Sequence, residues 1–291
     1  MKNRSFLLLL LAIGLALVLS GASKARSPLE PETVSIASGG LNLRAQLWRP
    51  QGHGPFPAIL FNHGSYSSEV PPGPKEAPAL GEVFARHGYL FLFLHRQGVG
   101  LSAGQGTADG DLMHRALASE GQEGRNRVQL QLLENDEMSQ ALAALSFLRA
   151  LPDVDRHRIA VAGHSFGGSL TLLLAARDST LRAAVVYAGA AYSWERSPAL
   201  RDRLIAAAGK IKAPVLLMHA ANDYSTASGK ALAEEMQRLG KPHELKLYPA
   251  VGKTADEGHN FLFHSVRTWE TDVFTFLDRH VKHGAMVQTR P

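Results

Sequence analysis

A serine in a glycine-rich turn is the first feature of the sequence that can do chemistry. Residues 163–168 read GHSFGG, and Ser165 lies between the apolar run 159–162 and a second apolar run at 170–174. The pattern G-x-S-x-G is weakly specific alone, but a strand before it and a helix after it are the context of a nucleophile elbow, a strained turn that exposes the serine hydroxyl. The sequence therefore predicts that Ser165 is a nucleophile. An inert serine in a tight strand-to-helix turn is the alternative.

A serine nucleophile requires two partner side chains. A histidine must take the hydroxyl proton, and a carboxylate must orient that histidine. In folds with a nucleophile elbow, the chain order is serine, then acid, then histidine. Asp223 follows an apolar strand and His259 lies in a loop before the last expected helix, so we predict that these two residues complete the site. Asp256 and Glu257 are rival carboxylates, but they follow no strand and stand close to the histidine in sequence.

The same chemistry needs hydrogen-bond donors for the oxyanion that develops on the substrate. One donor is expected to be the backbone N–H of Phe166, at the start of the helix behind the serine. The second is expected in the loop after the first buried strand, where Gly64 permits a close backbone approach. The N–H of Ser65 and that of Tyr66 are both candidates. The Tyr66 hydroxyl is a further candidate, or the Tyr66 ring only walls the pocket.

The elements that must position these residues alternate along the chain. Continuous apolar strands separated by helices are typical of a parallel sheet buried on both faces, and Gly39-Gly40 predicts a β-hairpin ahead of them. We therefore predict one α/β domain over 23–291, with a mostly parallel central sheet, helices on both faces and an N-terminal β-hairpin. Strands are expected at 32–38, 41–48, 57–61, 89–94, 158–162, 183–187, 214–219 and 244–248, and helices at 77–87, 138–148, 167–176, 229–239 and 267–280.

Two stretches interrupt this alternation. Residues 103–127 are rich in glycine, glutamine and charge and are too long for a routine connection. Residues 191–212 contain Tyr192 and Trp194 ahead of a short helical pattern. Each stretch is predicted to be either a lid segment that gates the substrate or a surface excursion, and the sequence leaves both readings open.

The N-terminus has the pattern of an export signal. Lys2 and Arg4 form a positive region, and residues 6–19 are an apolar run that small residues follow. Such a run suits a signal peptide and falls short of the roughly 20 residues of a membrane span. We predict a signal peptide that ends near Ala22 or, alternatively, near Ala25. Export to the periplasm or the cell exterior follows, without stable membrane insertion after cleavage. An uncleaved anchor is the alternative.

Composition excludes several classes of function. The chain has 31 Lys+Arg against 26 Asp+Glu, and this net charge of +5 is too mild and dispersed to form a nucleic-acid-binding face. It has no Cys, which excludes disulfides, thiolate nucleophiles and Cys-bound zinc. His280 and His283 share a helix face without a carboxylate set nearby, so no metal site is predicted. The turn RQGVG at 96–100 lacks the third glycine of a dinucleotide fingerprint, and no cofactor is expected.

Taken together, these motifs resemble those of the α/β-hydrolase superfamily and, within it, the dienelactone-hydrolase-like serine esterases. The resemblance extends in order along nearly the whole chain after the signal segment. It implies hydrolysis of a small-molecule ester, with a small or medium acyl group, through an acyl-enzyme, with Ser165 as nucleophile, His259 as base and Asp223 as the orienting acid. The matching segments are His63-Gly64, Arg96 to Ser102, Gly163 to Gly167, His219 to Asp223 and Gly258-His259.

The resemblance includes one departure. The dienelactone hydrolases that name the group use a cysteine nucleophile, and this chain has no Cys, which favours a general serine esterase. Peptidases of the prolyl-oligopeptidase type share the motifs but usually carry a large N-terminal propeller. A peptidase, amidase or acyltransferase on the same triad is the alternative function. A non-catalytic binding protein with the hydrolase fold is a third.

Overall fold

A single eight-stranded sheet organises the protein. The computed structural model describes residues 30–283, and the predicted cleavage positions Ala22 and Ala25 lie outside them. Within the described residues the strand order is β1-β2-β4-β3-β5-β6-β7-β8. The strands are β1 (Glu32–Ser38), β2 (Leu41–Trp48), β3 (Phe56–Asn62), β4 (Leu90–His95), β5 (Val154–His164), β6 (Ala184–Tyr187), β7 (Val215–Ala220) and β8 (His243–Tyr248).

The first two strands form the hairpin that the sequence predicts. β1 and β2 pair antiparallel, with Ser38 opposite Leu41. Between them Gly39 and Gly40 have φ values of 55° and 84°, which glycine adopts without steric cost. β2 pairs antiparallel with β4, whereas β4, β3, β5, β6, β7 and β8 pair with their neighbours in parallel. The carboxyl ends of these six strands therefore meet at one edge of the sheet, where functional groups of open α/β sheets gather.

Helices cover both faces of the sheet. The helices are α1 (Glu76–Arg86), α2 (Asp109–Glu134), α3 (Asp136–Ala150), α4 (Phe166–Arg177), α5 (Pro198–Ala208), α6 (Ala227–Arg238), α7 (Ala255–His259), α8 (Phe261–His264) and α9 (Val266–Leu277). Successive strand residues point to opposite faces, so Leu60 lies in a core closed by α2 to α6 and Phe61 in a core closed by α1, α8 and α9. The predicted fold class is confirmed. Over residues 30–283, no helix is long and apolar enough to cross a bilayer.

The first interrupting stretch is mostly helical, which the sequence pattern did not indicate. α2 begins inside it and continues beyond it, and Gly121, with φ 69° and ψ −164°, breaks the helical backbone near its middle. Met113 before the break and Leu132 after it are both buried in the core. The helix α2 was not predicted because its composition is polar and its buried residues form no continuous apolar stripe.

The second interrupting stretch contains the helix that its sequence indicated. α5 follows Ser197, whose hydroxyl accepts a hydrogen bond from the N–H of Leu200 at 3.4 Å, a typical helix N-cap. Just before α5, the Ser193 hydroxyl accepts a hydrogen bond from Nε2 of Gln129, on α2, at 3.0 Å. The side-chain amide of Asn126, in the first stretch, also donates to the carbonyl of Arg196, in the second, at 2.5 Å, so the two interrupting stretches contact each other.

Candidate active site

Ser165 lies on a strained turn between β5 and α4. Its φ of 55° and ψ of −116° fall in a region that non-glycine residues rarely adopt. The backbone is held there because the N–H of Ser165 donates to the carbonyl of Tyr187, on β6, at 2.9 Å, and the carbonyl of Ser165 accepts from the N–H of Ser169 at 3.1 Å. The turn has the geometry that the sequence predicts for a nucleophile elbow.

The flanking glycines make this turn possible. A Cβ at Gly167 would lie 2.0 Å from the carbonyl oxygen of Asn62 and 2.2 Å from that of His63. A Cβ at Gly163 would lie 2.3 Å from the carbonyl oxygen of Gly167. Any side chain at these positions would push α4 away from β3 and β5, so the two glycines allow α4 to start directly against the sheet.

The structure brings the three predicted residues of the triad together. Nε2 of His259 lies 2.8 Å from Oγ of Ser165, and Nδ1 of the same ring lies 2.7 Å from Oδ1 of Asp223. A carboxylate only accepts hydrogen bonds, so the Nδ1–H donates to Asp223 and leaves Nε2 free to accept the serine proton. His259 and Asp223 are buried, so water has little access to the hydrogen bond between them.

The rival carboxylates point elsewhere. Oδ1 of Asp256 accepts a hydrogen bond from the Tyr224 hydroxyl at 3.0 Å. The Glu257 carboxylate accepts from the backbone N–H of Thr254 at 2.9 Å, and the Thr254 hydroxyl accepts from the N–H of Glu257 at 3.1 Å. This capping box starts α7, the short helix that ends at His259. The two carboxylates near the histidine thus build the loop that presents it.

Asp223 accepts more hydrogen bonds than the sequence indicated. Its N–H donates to the carbonyl of Ala220 at the end of β7, at 3.1 Å, and its Oδ2 accepts from Nδ1 of His219 at 2.8 Å. The N–H of Tyr224 donates to Oδ1 at 2.7 Å. Burial alone would raise the pKa of this carboxyl, but hydrogen bonds from His219 and His259 outweigh burial and lower the pKa. Asp223 is therefore an ionised, fully hydrogen-bonded carboxylate.

His164, the residue before the serine, also fixes the position of His259. Burial lowers the pKa of His164 to about 3, so its ring is neutral. Its Nε2 lies 2.9 Å from the carbonyl oxygen of His259 and donates to it. The sequence pattern predicts no role for this residue, because the second position of G-x-S-x-G is unrestricted in the motif.

The loop after β3 distinguishes the two candidate oxyanion donors. The N–H of Tyr66 donates to Oδ1 of Asp109 at 3.3 Å, and the Tyr66 hydroxyl is hydrogen-bonded to Glu76. Both donors of Tyr66 are thus engaged away from the serine. Ser65 instead lines the same cavity as Ser165 and Phe166. The geometry therefore favours Ser65 over Tyr66 as the partner of the Phe166 N–H.

A buried arginine holds this loop in place. Arg96 donates to the carbonyl of His63 at 2.8 Å and to that of Gly64 at 3.0 Å, and it is paired with Glu137 and, at 3.5 Å, with Asp109. One guanidinium thus faces two buried carboxyls. Burial raises the pKa of Glu137 to about 8 and that of Asp109 above its ordinary value. The sequence placed Arg96 only in a turn beside the site, because the two carboxyls come from distant helix positions.

A small cavity of about 150 Å³ opens above the serine. Its walls combine the elbow, the loop after β3, α2 and the segment before α5, so both interrupting stretches contribute to it. Arg125 is its charged member, and the Arg125 guanidinium lies 5.3 Å from the centre of the Tyr192 ring. The lining residues are Ser65, Met113, Arg125, Gln129, Ser165, Phe166, Ser169, Ala190, Tyr192, Ser193, Tyr224 and His259.

The arrangement is suited to covalent catalysis by an oxygen nucleophile. It combines a hydroxyl in contact with Nε2 of His259, an ionised carboxylate behind that ring, and the N-terminus of α4, whose dipole favours a developing negative charge. Over residues 30–283, His, Asp and Glu side chains form no group of three placed to hold a metal ion.

Sequence comparison identifies related proteins. The polyketide transferase grgF of Penicillium sp. is 28% identical over 220 residues, which are 72% of this chain and 65% of that protein. The quorum-quenching protein AidA of Acinetobacter baumannii is 26% identical over 166 residues, which are 57% of this chain and 46% of that protein. The matched region therefore spans less than two thirds of the length of either relative.

Comparison with solved structures identifies the α/β-hydrolase fold. An acylaminoacyl peptidase of Pyrococcus horikoshii superposes with a TM-score of 0.63 at 20% identity, over 87% of this chain and 42% of that chain. The esterase Pf2001 of Pyrococcus furiosus superposes with a TM-score of 0.60 at 16% identity, over 87% of this chain and 93% of that chain. A Klebsiella pneumoniae protein described as a dienelactone hydrolase superposes with a TM-score of 0.57 at 21% identity, over 86% of this chain and 98% of that chain.

The sequence profile of the dienelactone hydrolase family matches residues 43–267, from β2 into α9. This range contains Ser165, the loop after β3, Asp223 and His259. The resemblance inferred from the motifs is thereby confirmed, and the chain belongs to the dienelactone hydrolase family.

Proposed function

We propose that the protein is a serine hydrolase that cleaves carboxylic esters through an acyl-enzyme on Ser165. The observation that supports this proposal best is the hydrogen-bonded row in which His259 lies 2.8 Å from Ser165 Oγ and 2.7 Å from Asp223 Oδ1. This is the spacing that lets one histidine act first as base and then as acid. Family membership and the α/β-hydrolase fold support the same class of chemistry.

Acylation begins with proton transfer. Oγ of Ser165 attacks the ester carbonyl carbon while Nε2 of His259 takes the hydroxyl proton, and Asp223 stabilises the imidazolium that forms. The carbonyl oxygen becomes an oxyanion, which the N–H groups of Phe166 and Ser65 stabilise in this proposal. His259 then gives its proton to the alkoxy oxygen, the carbon–oxygen bond breaks, and the alcohol leaves with the acyl group bound to Ser165.

Deacylation repeats these steps with water. His259 takes a proton from the water, whose oxygen adds to the acyl carbon and forms a second tetrahedral oxyanion. As this species collapses, the bond to Ser165 Oγ breaks and His259 returns the proton to the serine. The carboxylic acid leaves, and the serine and histidine regain their starting protonation states.

The size of the cavity favours short acyl groups. Its volume of about 150 Å³ is well below the roughly 300–1,000 Å³ of pockets that enclose drug-sized ligands. We expect acetyl and butyryl esters to be better substrates than octanoyl or longer ones. We also expect an ester to react faster than the anilide of the same acyl group, because the amine leaving group must be protonated first.

A panel of p-nitrophenyl esters of graded acyl length tests this proposal directly. Ser165→Ala is expected to lower kcat on the best ester by about 10³-fold or more and to leave the melting temperature close to that of the parent. Ser139→Ala, on the exposed face of α3, is the matched control and should retain full activity. A Ser165→Ala protein with activity within tenfold of the parent would exclude Ser165 as the nucleophile.

Acyl transfer is the second candidate, because the relative with 28% identity is named a polyketide transferase. Transfer uses the same acyl-enzyme and differs only in the acceptor, an alcohol or amine in place of water. Adding an alcohol to the ester assay and measuring the ratio of new ester to free acid separates the two. Acid as the main product supports hydrolysis, whereas new ester as the main product at millimolar alcohol supports transfer.

We also propose that the protein is exported. The support is the charged and apolar pattern of the first 22 residues. Expression of the full chain in a Gram-negative host, followed by fractionation and N-terminal sequencing, tests this. A mature chain that begins after residue 22 or 25 in the periplasm or medium is expected. A cytoplasmic chain that retains the segment would contradict it.

A further inference from the structure

Two histidines share the carboxylate of Asp223. His259 donates to Oδ1 at 2.7 Å, on the side of the candidate nucleophile, and His219 donates to Oδ2 at 2.8 Å, on the opposite side. The ring of His219 is 1% exposed. A buried histidine that faces a carboxylate but does not reach the cavity has no part in the steps described above.

The surroundings of His219 fit its ring closely. Nε2 of His219 lies 3.3 Å from Oγ of Ser228, and that hydroxyl donates to the carbonyl of Gly189 at 2.7 Å. A Cβ at Gly229, on α6, would lie 2.7 Å from the His219 ring. Both ring nitrogens of His219 thus have polar neighbours. The absence of a side chain at Gly229 leaves the space that the His219 ring occupies. The chain also supports the contact locally, since His219 is the last residue but one of β7 and lies four residues before Asp223.

We propose that His219 is a positioning residue that fixes the Asp223 carboxylate toward His259 and disperses part of its negative charge. The inference rests on the proposed serine-hydrolase function. A carboxylate held by donors on both oxygens cannot rotate away from His259. The second donor also reduces the charge that the imidazolium of His259 experiences, because hydrogen bonds to an anion draw electron density from it.

Removing the His219 donor should shift the pH dependence of activity in one direction. Without this donor, Oδ1 of Asp223 carries more negative charge than in the parent, and this charge stabilises the protonated form of His259. A higher pH is then needed to deprotonate Nε2. The acid limb of the pH profile of kcat/KM should therefore move to higher pH. A role of His219 in packing alone would lower stability without moving that limb.

The other groups that face the two histidines do not interfere with this readout. The rings of His164 and His259 lie 4.8 Å apart, and burial lowers the pKa of His164 to about 3. The Tyr224 ring lies 4.9 Å from His259, and burial with the hydrogen bond to Asp256 raises the pKa of Tyr224 to about 12. Both therefore stay neutral between pH 5 and pH 9. The uncharged Ser228 is the neighbour of the remaining His219 nitrogen.

Two substitutions separate positioning from packing. His219→Leu keeps the bulk and removes the donor, whereas His219→Asn replaces the Nδ1–H with an amide N–H. His219→Leu is expected to lower kcat about 10- to 100-fold and to move the acid limb upward. His219→Asn is expected to recover most of kcat and to return the limb toward that of the parent. His243→Gln, at the far end of β8, is the matched histidine control and should change neither.

Several outcomes would overturn the inference. One is a His219→Leu protein with the parent's kcat and pH profile. Another is an equal loss of kcat in His219→Leu and His219→Asn, with an unmoved acid limb and a lower melting temperature in both. If His219→Leu does not fold, the same pH comparison of His219→Met, which also lacks the donor, with the parent decides, and an unmoved limb with unchanged kcat overturns the inference. Full activity of Ser165→Ala would instead show that the proposed function has failed.

Discussion

At the scale of single residues, the geometry around Asp223 distinguishes it from the other carboxylates nearby. It is buried, it stays ionised, and it is the carboxylate that contacts Nδ1 of His259. Asp256, by contrast, is exposed and accepts from the Tyr224 hydroxyl. The orienting acid fixes the tautomer of the histidine, so loss of its charge leaves the ring able to flip its proton.

The first prediction compares these two acids. Asp223→Asn is expected to lower kcat by about 10⁴-fold, the scale seen when the acid of a triad becomes an amide. Asp256→Asn removes only an exposed contact and should stay within about threefold of the parent, since exposed pairs contribute little. Steady-state kinetics on the best p-nitrophenyl ester measures both. A larger loss for Asp256→Asn would mean that the acid is wrongly assigned.

Sequence analysis correctly predicted that Ser165, Asp223 and His259 lie together, because the fold restricts the order of these three residues along the chain. Ser165 has a local motif, and Asp223 and His259 follow it at a strand end and in a late loop. The roles of His219 and Arg96 were not predicted, because these roles depend on groups that tertiary packing brings to them. The local signal for His219 is its position four residues before Asp223, and this spacing alone does not predict a role.

At the scale of elements, α2 and the segment before α5 form the outer wall of the cavity. Arg125 of α2 lies in this wall, donates to Oε1 of Gln129 at 3.3 Å and packs on the Tyr192 ring. Two residues further on, Arg127 lies outside the cavity lining and is paired with Glu120. The helix thus offers a matched pair of arginines, one in the wall and one outside it.

The second prediction uses this pair. Arg125→Ala is expected to lower kcat/KM about two- to fivefold, because it removes a cation–π contact worth roughly 0.5–1 kcal/mol that holds Tyr192 in the wall. Arg127→Ala should remain within the error of the parent, and the melting temperatures of both proteins should stay close to it. Equal effects of the two substitutions would show that α2 does not shape the site.

The same helix shows where element prediction failed. The strands and α4 are dense in apolar residues, so their pattern indicates them directly. α2 is polar over most of its length and is stabilised by a few anchors, such as Met113 and Leu132, on either side of the break at Gly121. Its helical structure depends on what it packs against, and this information is not local to its sequence.

At the scale of the whole molecule, one buried ionic cluster links the sheet, α2 and α3. Arg96 follows β4, Asp109 begins α2, and Glu137 lies in the first turn of α3; all three are almost fully buried. Two ionised carboxyls around one guanidinium would leave a buried negative charge, which costs free energy. The raised pKa values of both carboxyls indicate that the cluster retains a proton.

The third prediction is a dependence of stability on pH. Glu137 has a pKa of about 8 in the folded protein against about 4.3 in an unfolded chain, so between these values the folded state binds more protons. The free energy of unfolding should therefore fall as pH rises through this window. Glu137→Gln, which cannot lose a proton, should flatten the dependence. Urea midpoints from pH 5 to pH 8.5 measure both slopes, and equal slopes would contradict the account.

The fold as a whole was predictable because it depends on repeated local patterns. The alternation of buried strands and helices indicated the parallel sheet, and Gly39-Gly40 indicated the hairpin. The sequence did not indicate how the two interrupting stretches meet, because the Asn126–Arg196 contact joins residues 70 positions apart. That those stretches act as a lid that gates the substrate stays a prediction.

Reaction with a fluorophosphonate probe tests whether the Ser165 hydroxyl is a nucleophile that His259 activates. Oγ attacks phosphorus, the phosphorus–fluorine bond breaks, and fluoride leaves while His259 takes the proton. Mass spectrometry of tryptic peptides should find one adduct, on Ser165, and His259→Ala should remove most of the labelling while the protein remains folded. An adduct on another serine, or no adduct at any pH, would contradict the account.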